Sequence, residues 1–260
     1  MADVSLDTAR RLSSRFGFLL SLTLFGLLIV MWIALGISTH TFLTDTNLVN
    51  LARQASLWAI IAMGQTFVII TAGIDLSVGA VIGFAGVIVA MLMQANVPIP
   101  LAVFITLLVG VVIGSFHAFG ILRMGLPPFI MTLATMYALR GIGLLITNGS
   151  TISIDNDAFT GFSRASFLGF PWTDGTWFQI PMLFWMVIVV AIPAYILLEQ
   201  SRWGRYLFAI GSNKEAARLS GVNVKAITYL AYVVSAFCAA FCGILLAMRI
   251  GIGNPTQAEG

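Results

Sequence analysis

Long apolar runs dominate the hydrophobic pattern of this chain, and short polar stretches separate them. A helix that crosses the hydrocarbon core of a bilayer needs about 20 mostly apolar residues. The runs that meet this requirement are 16–37, 55–72, 78–95, 99–119, 129–147, 180–198 and 226–248. Lipid offers no partner to backbone N–H and C=O groups, and the two-residue alternation of barrel strands is absent, so each run is predicted to be a helix. The pattern therefore predicts an all-α polytopic transmembrane bundle of about seven spans.

Composition supports the same fold class. The chain is 59% apolar and 9% charged, whereas about 25% of residues are charged in an ordinary soluble domain. A water-soluble globular protein is therefore excluded. The net charge is +3, and the basic residues cluster at two places rather than forming stripes, so we predict no binding of nucleic acid.

Lysine and arginine are unevenly distributed among the predicted loops. With the N-terminus in the cytoplasm, nine basic residues lie in inner segments and three in outer ones. The inner residues are Arg10, Arg11, Arg15, Arg123, Arg202, Arg205, Lys214, Arg218 and Lys225, and the outer ones are Arg53, Arg164 and Arg249. Positive charge favours the cytoplasmic side. We therefore predict a cytoplasmic N-terminal tail (1–15), a cytoplasmic segment (199–225) and a long outer loop (148–179).

Enzymatic motifs are missing from the sequence. Neither of the two lysines follows a glycine, so no P-loop is present to hold ATP. Neither a metalloprotease H-E-x-x-H motif nor a G-x-S-x-G elbow occurs. His40 and His117 are isolated and are interpreted as packing residues, and Cys238 and Cys242 have no histidine or carboxylate at ligand spacing. We therefore predict neither a catalytic site nor a metal site.

Glycines recur at helical spacing in two of the predicted spans. Gly79 and Gly83 lie in the third span, and Gly110 and Gly114 lie in the fourth. Small residues four apart let two membrane helices approach closely. We interpret them as packing positions rather than as the lining of a pore.

An acidic residue, Asp75, lies between the second and third spans. An ionised aspartate in lipid costs a few kcal/mol, so it must face water, protein or a helix end. Asp75 or Ser77 is expected to cap the third span, with Gly73 allowing the turn; the alternative is a role in a translocation path. Counting spans puts Asp75 at the cytoplasmic mouth, whereas a broken second helix would bring it nearer the midplane. Arg140, within the fifth span, is expected to face the bundle interior or an aqueous path, or to bond neighbouring carbonyls.

The inner segment 199–225 contains a second distinctive feature. Ser212 and Glu215 have the spacing of a capping box, in which the serine accepts from the third amide and the glutamate reaches back. Gly221 is expected to end the short helix that follows. Small alanines on its surface favour insertion into a partner's groove, whereas a helix lying on lipid headgroups would need a larger apolar face.

Three motifs in this order resemble a known family. They are residues 73–79 (GIDLSVG), residues 127–135 (PPFIMTLAT) followed by Arg140 and Gly141, and residues 204–222, from Gly204-Arg205 to Ser220-Gly221-Val222. Together they are similar to the membrane permease subunits of bacterial ATP-binding-cassette importers for ribose and other monosaccharides. The resemblance covers nearly the whole chain and implies a single permease domain, 1–260, in the bacterial inner membrane. Such permeases continue with further spans, so the chain is expected to be truncated after residues 254–260, just outside the seventh span.

The resemblance also implies partners and roles. It implies a second permease copy, as a homodimer or heterodimer, cytoplasmic ATPase subunits and a periplasmic sugar-binding protein. This chain would be a transport subunit without a cofactor of its own, because the ATPase binds ATP and Mg²⁺. The residues expected to contact the ATPase are Gly211, Ser212, Asn213, Glu215, Ala216, Ala217, Arg218, Ser220 and Gly221. The residues expected at the translocation path or gate are Asp75, Ser77 and Arg140.

Alternatives remain at this stage. An ATP-independent channel or secondary transporter for a small polar solute would need more intramembrane charge than Asp75 and Arg140 supply. A membrane enzyme or assembly scaffold is a third class. The outer loop is expected to receive the binding protein through its acidic residues, Asp155, Asp157 and Asp174. Its aromatic residues, Phe159, Phe162, Phe167, Phe170, Trp172 and Trp177, fit a belt on the outer leaflet equally well.

Overall fold

The computed structural model describes residues 22–171 and 177–257. The predicted tail 1–15, the start of the first span, Trp172 and Asp174 lie outside these ranges. Contacts divide the chain into two compact units, residues 1–51 with 171–178 and residues 52–170 with 179–260. Every site considered below lies within the second unit.

Helices make up most of the described chain. They are α1 (Leu22–Ser38), α2 (Asp45–Ile70), α3 (Val78–Gln94), α4 (Ile99–Leu122), α5 (Pro128–Thr147), α6 (Asp157–Arg164), α7 (Met182–Tyr195), α8 (Arg202–Ser212), α9 (Lys214–Leu219) and α10 (Val224–Ile250). A π-helical turn, Ile196–Gln200, extends α7. The strands are short: β1 (Ile152–Ser153), β2 (Ser166–Pro171), β3 (Trp177–Pro181) and β4 (Ile252–Gly253).

Each of the seven predicted spans contains an apolar helix. Among the described residues, five helices are long and apolar enough to cross a membrane: α2, α4, α5, α7 with its extension, and α10. The apolar helices α1 and α3 are shorter; the 17 residues of α3 give a length of about 26 Å. The predicted all-α polytopic bundle is confirmed.

The second span begins earlier than its apolar run. Helix α2 begins at Asp45 rather than at residue 55. The Thr44 hydroxyl oxygen accepts a hydrogen bond from the Asn47 backbone N–H at 3.4 Å, and an acidic residue in the first turn complements the helix dipole. Polar capping therefore extends the helix by about two to three turns beyond the part that hydrophobicity detects.

The core forms where α10 packs between α3 and α4. Gly110 of α4 lies against Ala236 and Ala240 of α10, and Gly114 lies against the Tyr232 carbonyl. These contacts confirm the predicted packing role of the two α4 glycines, because a side chain there would separate the helices. The thiols of Cys238 and Cys242 are buried and unbridged, packed among these helices.

We expect Gly114→Ala to destabilise the protein and Gly141→Ala to leave it unchanged or slightly stabilised. A Cβ at 114 would lie 2.6 Å from the Tyr232 carbonyl oxygen and 2.7 Å from the Val233 Cα, whereas a Cβ at 141 meets no atom within 4 Å. Overpacking costs about 1–3 kcal/mol, and alanine is favoured over glycine in an open helix by about 1 kcal/mol. Thermal melting of the two detergent-solubilised variants measures the difference, and equal melting temperatures would contradict the close α4–α10 contact.

The first part of the predicted outer loop, 148–179, packs against the bundle. Strand β1 pairs with β4 in antiparallel register, and the Ser163 hydroxyl donates to the Met248 carbonyl at 3.0 Å. Phe159 of α6 is 1% exposed, so its predicted place in an aromatic belt is wrong: it belongs to the core. Phe167, Phe170 and Trp177 are exposed.

Candidate functional site

The chain leaves helical geometry between α2 and α3, at residues 71–77. Ala72 has a φ of +57°, and the Gly73 N–H bonds back to the Val68 carbonyl. A Cβ on Gly73 would lie 2.7 Å from the Tyr232 hydroxyl of α10, so glycine is required by this close approach. The break therefore passes directly beside α10.

Asp75 is the centre of a hydrogen-bonded cluster in this break. It is 9% exposed, and its Oδ1 accepts from the Ser77 backbone N–H at 3.0 Å and from the Ser77 hydroxyl at 2.6 Å. Its Oδ2 accepts from the Ser235 hydroxyl at 2.9 Å. Three donors offset the cost of burying a carboxylate, and hydrogen bonds to a charged group are the stronger kind.

Side chains from several helices hold the break in place. Gln65 of α2 donates to the Ser235 hydroxyl at 3.3 Å, and the Thr132 hydroxyl of α5 accepts from the Leu76 N–H at 3.2 Å. Tyr232 of α10 donates to the Ile74 carbonyl at 3.4 Å. Elements far apart in the sequence therefore meet at residues 74–77.

The predicted cap of α3 differs from the observed one. Ser77 is the N-cap residue of α3, but its side chain accepts no capping bond from the helix; its hydroxyl donates to Asp75. Asp75 accepts the Ser77 N–H and thus fixes the entry to the helix. Ser235 of α10 lies 11 residues after Val224, the first residue of that helix, which is about 16 Å along the axis. Asp75 therefore lies well inside the bundle.

His117 of α4 lies beside this cluster. Its ring centroid is 6.4 Å from that of Tyr232 in an edge-to-face arrangement, and the residue is fully buried. Within residues 22–171 and 177–257, neither ring nitrogen has a hydrogen-bond partner. Packing is the role that these contacts give it, as the sequence predicts.

A second non-helical segment follows α10 and turns back into the bundle. Gly251 has a φ of +74°, after which Gly253 packs against Gly86 and Pro255 packs against Gly83. Residues 254–257 thus lie just beyond the seventh span, as expected, but they turn back against α3. Gly83 serves close packing, but its neighbour is the non-helical backbone of Asn254 and Pro255 rather than a helix. The Gly-x-Gly-Asn-Pro sequence at 251–255 was the available signal for this turn.

The two breaks approach α3 from opposite ends. The first ends at Ser77, where α3 begins, and the second reaches Gly83, which is about 9 Å further along the helix axis. Unwound backbone inside a membrane bundle supplies polar groups, and it marks substrate sites in many transporters. The interval between these two breaks is the candidate functional site.

Arg140 lies on α5 between the positions that contact the two breaks. It is two turns after Thr132, which contacts the first break, and one turn before Gly143, whose Cβ would lie 3.2 Å from Pro255. Arg140 is partly buried, at the edge of the packed face of α5. The structure thus brings Asp75 and Ser77 together and places Arg140 nearer the second break.

The short helix α9 differs from the predicted capping box. Asn213 is its N-cap and accepts from the Glu215 and Ala216 N–H groups at 3.1 and 2.9 Å, whereas Ser212 belongs to α8. Glu215 pairs with Arg218, and this hydrogen bond lowers the pKa of the Glu215 carboxyl and raises the pKa of Arg218. Asparagine holds both amides because its side chain reaches the second and third residues beyond it. The predicted stop at Gly221 is confirmed by its φ of +84°.

One face of α9 is held to the bundle and the other is open. Ala217 is 5% exposed and packs in an apolar cluster that includes Leu207 and Tyr232; its predicted place on a partner-facing surface is wrong. Leu219 is 76% exposed. Gly211, at the end of α8, lies so close to the Ile70 carbonyl at the end of α2 that no side chain would fit.

Comparison with known proteins identifies the family. The family model described as branched-chain amino acid transport system / permease component matches residues 47–259. The chain belongs to this permease family. The ribose import permease protein RbsC of Haemophilus influenzae is 36% identical over 239 residues, which cover 92% of this chain and 72% of that protein. This match confirms the resemblance of the permease to monosaccharide permeases.

Two further relatives of the permease have names that refer to other sugars. The D-allose transport system permease protein AlsC of Escherichia coli is 35% identical, over 92% of this chain and 70% of its own. The xylose transport system permease protein XylH of Escherichia coli is 29% identical, over 84% of this chain and 69% of its own. No solved structure matches the permease.

Sequence reasoning alone missed several members of the permease site. Ser235, Thr132 and Gln65 are ordinary polar residues within apolar helices, and only the tertiary arrangement brings them to the break at Asp75 and Leu76. Their signal in the sequence is weak because serine and threonine in membrane helices commonly bond their own backbone, as Thr132 does with the Pro128 carbonyl.

We expect a cysteine at position 140 of the permease to react with a water-soluble thiol reagent. A guanidinium near the middle of a span faces protein or water rather than lipid. The measurement is labelling of Arg140→Cys in a Cys238→Ala, Cys242→Ala background. Leu145→Cys, at a position 77% exposed on the same helix, is the control that only a lipid-soluble reagent should label. Labelling of both positions by the lipid-soluble reagent alone would contradict the interpretation.

Proposed function

We propose that this permease is the membrane subunit of a bacterial ATP-binding-cassette importer in the inner membrane, with its N-terminus in the cytoplasm. It translocates a monosaccharide, a ribose-like pentose or a related sugar, into the cytoplasm. The observation that carries the proposal is the similarity to the ribose import permease over 92% of the chain. The names of the allose and xylose relatives support the same substrate class.

Energy for this transport comes from a partner subunit that binds ATP and Mg²⁺. The sequence of this chain contains no P-loop, so a mechanical contact must deliver the energy. The open face of α9 is the contact that we propose, formed by Ser212, Asn213, Glu215, Ala216, Arg218, Leu219, Ser220 and Gly221. An exposed leucine surrounded by small and charged residues suits a partner's groove. Ala217 is buried and anchors this face to the bundle, whereas Gly211, exposed at the end of α8, stays among the proposed contacts.

The contact between α8 and the end of α2 connects the proposed ATPase contact to the candidate site. Gly211 lies against Ile70, the last residue of α2, and the first break begins at the next residue, Thr71. A displacement of α8 and α9 therefore acts on the segment that contains Asp75. Packed elements of this kind move between discrete arrangements rather than deform continuously, so closure of the ATPase would switch the break between inward-open and outward-open states.

The translocation path in this proposal passes between the two breaks. Asp75 and Ser77 mark one break, and Arg140 lies on α5 towards the other. Carboxylate, hydroxyl and backbone groups all bond sugar hydroxyls, and the cluster supplies each of these. A second permease copy completes the path.

A periplasmic sugar-binding protein is the proposed partner on the opposite face. Asp155 and Asp157, which we propose to lie on that face, are exposed, and Asp157 is the first residue of α6. Acidic residues steer a basic partner, and the attraction weakens as salt screens the charges.

We expect the binding protein's association rate with the permease to fall as the salt concentration rises. The rate should fall less in an Asp155→Asn, Asp157→Asn variant. Equal salt dependence in the variant and the parent would argue against this surface.

Reconstitution tests the proposed function. Full-length permease is incorporated into liposomes with its ATPase subunits and binding protein, and uptake of radiolabelled ribose, allose, xylose and leucine is measured with and without ATP. We expect uptake of at least one sugar, only with ATP. Leucine is the informative control because the family description refers to branched-chain amino acids. Uptake of leucine instead of sugar, or uptake without ATP, would overturn the proposal.

A further inference from the structure

A groove lies between the C-terminal end of α4 and the N-terminal end of α10. Its volume is about 490 Å³, and its lining includes Arg123 and Lys225. Both cations are exposed, and neither forms an ion pair with a carboxylate of residues 22–171 or 177–257. Two positive charges, one from the end of α4 and one from the start of α10, thus line the same groove.

The two helices place the same residue classes at the same depth. Phe119 lies one turn before Arg123 on α4, and Tyr229 lies one turn after Lys225 on α10. The helices run antiparallel, so each has a cation at its end and an aromatic ring one turn towards the bundle centre. Phe119 is 55% exposed and Tyr229 is 44% exposed. The Tyr229 hydroxyl is fixed by a 2.6 Å hydrogen bond with Ser115, so its ring stays against the groove.

The order of cation and then aromatic ring along each helix matches the order of phosphate and hydrocarbon at the boundary of a bilayer. Arginine and lysine lie at the level of the phosphates, and aromatic residues lie where headgroup meets hydrocarbon. We infer that the groove binds one anionic phospholipid, with its phosphate between Arg123 and Lys225 and an acyl chain along Phe119 and Tyr229. The guanidinium offers two parallel donors to phosphate oxygens, and the positive end of α10 adds to the attraction. Exposed rings beneath the cations favour a lipid over a free phosphate ion, which has no chain to cover them.

Native mass spectrometry of the full-length permease with its ATPase subunits tests this inference. The complex is extracted from nanodiscs of phosphatidylglycerol and phosphatidylcholine, and bound lipid is counted per permease. We expect Arg123→Gln with Lys225→Gln to weaken phosphatidylglycerol binding by about thirtyfold, or about fivefold per cation. Phosphatidylcholine binding should not change. Arg202→Gln with Arg205→Gln removes two exposed cations of α8 outside the groove and is the matched control.

Further measurements distinguish a lipid from inorganic phosphate and from a protein partner. Millimolar inorganic phosphate should not displace the lipid, and Phe119→Gln should weaken long-chain phosphatidylglycerol more than its dihexanoyl analogue. Equal lipid loss in the control variant, or displacement by inorganic phosphate, would overturn the inference. Unchanged lipid with loss of the ATPase subunits in the Arg123, Lys225 variant would also overturn it, because the groove would then belong to a protein partner. Thermal melting confirms that each variant is folded.

Discussion

Replacing Asp75 by leucine is expected to abolish sugar uptake and to lower the melting temperature of the permease by about 10 °C. The carboxylate accepts three hydrogen bonds, from the Ser77 N–H, the Ser77 hydroxyl and the Ser235 hydroxyl. Leucine would leave these donors buried without an acceptor, at about 1–3 kcal/mol each. Thermal melting of the purified permease and radiolabelled uptake in cells measure the two effects.

The asparagine variant separates hydrogen bonding from charge at this position. In Asp75→Asn the amide oxygen still accepts from the Ser77 N–H, and the amide nitrogen donates to the Ser235 hydroxyl, which can act as acceptor. We therefore expect Asp75→Asn to retain most of the stability and much of the uptake. Glu199→Leu, at an exposed carboxylate, is the matched control and should behave like the parent. If Asp75→Leu melts and transports like the parent, the cluster neither orders the break nor controls the path.

Leu219→Asp is expected to reduce ATP-dependent uptake by about tenfold or more while the permease stays folded. The side chain is 76% exposed on α9, so a charge there disturbs no packing within the chain. When α9 docks in the partner's groove, however, the introduced carboxylate would lose its water, which is unfavourable for a charged group. The measurements are co-purification of the ATPase subunits and ATP hydrolysis stimulated by the binding protein.

Two variants make this result specific. Leu168→Asp changes another exposed leucine, 60% exposed, on β2 and should retain ATPase association. Ala217→Glu, in contrast, should unfold the region, because Ala217 is buried against Leu207 and Tyr232. Full ATPase association by Leu219→Asp at parental expression would show that the open face of α9 is not the coupling contact.

These two expected results are linked by the position of Gly211. A side chain at 211 would collide with the Ile70 carbonyl, so the end of α8 and the end of α2 are in direct contact. Leu219 lies at one end of this connection and Asp75 at the other. Variants at either end should therefore reduce uptake, but only the Asp75 variant should alter the melting temperature.

The sequence by itself determined the class of this protein and the places where its helices stop. Uninterrupted apolar runs specify spanning helices because lipid leaves the backbone no other partner, and the seven predicted spans correspond to seven apolar helices. Gly73 and Asp75 marked the first break for the same reason, since neither residue suits a helix in lipid. Gly221 marked the end of α9 because glycine adopts positive φ without strain.

Only the tertiary structure decided which residues of each short element face the bundle and which polar residues contact one another. The six residues of α9 are too few for a hydrophobic period to show that Ala217 faces inward and Leu219 outward. Ser235 reaches Asp75 across 160 positions, and Pro255 returns to Gly83. In lipid, apolar and small residues are compatible with either a lipid-facing or a buried position, so hydropathy does not distinguish them. Close packing between helices makes that choice, and it depends on all of them at once.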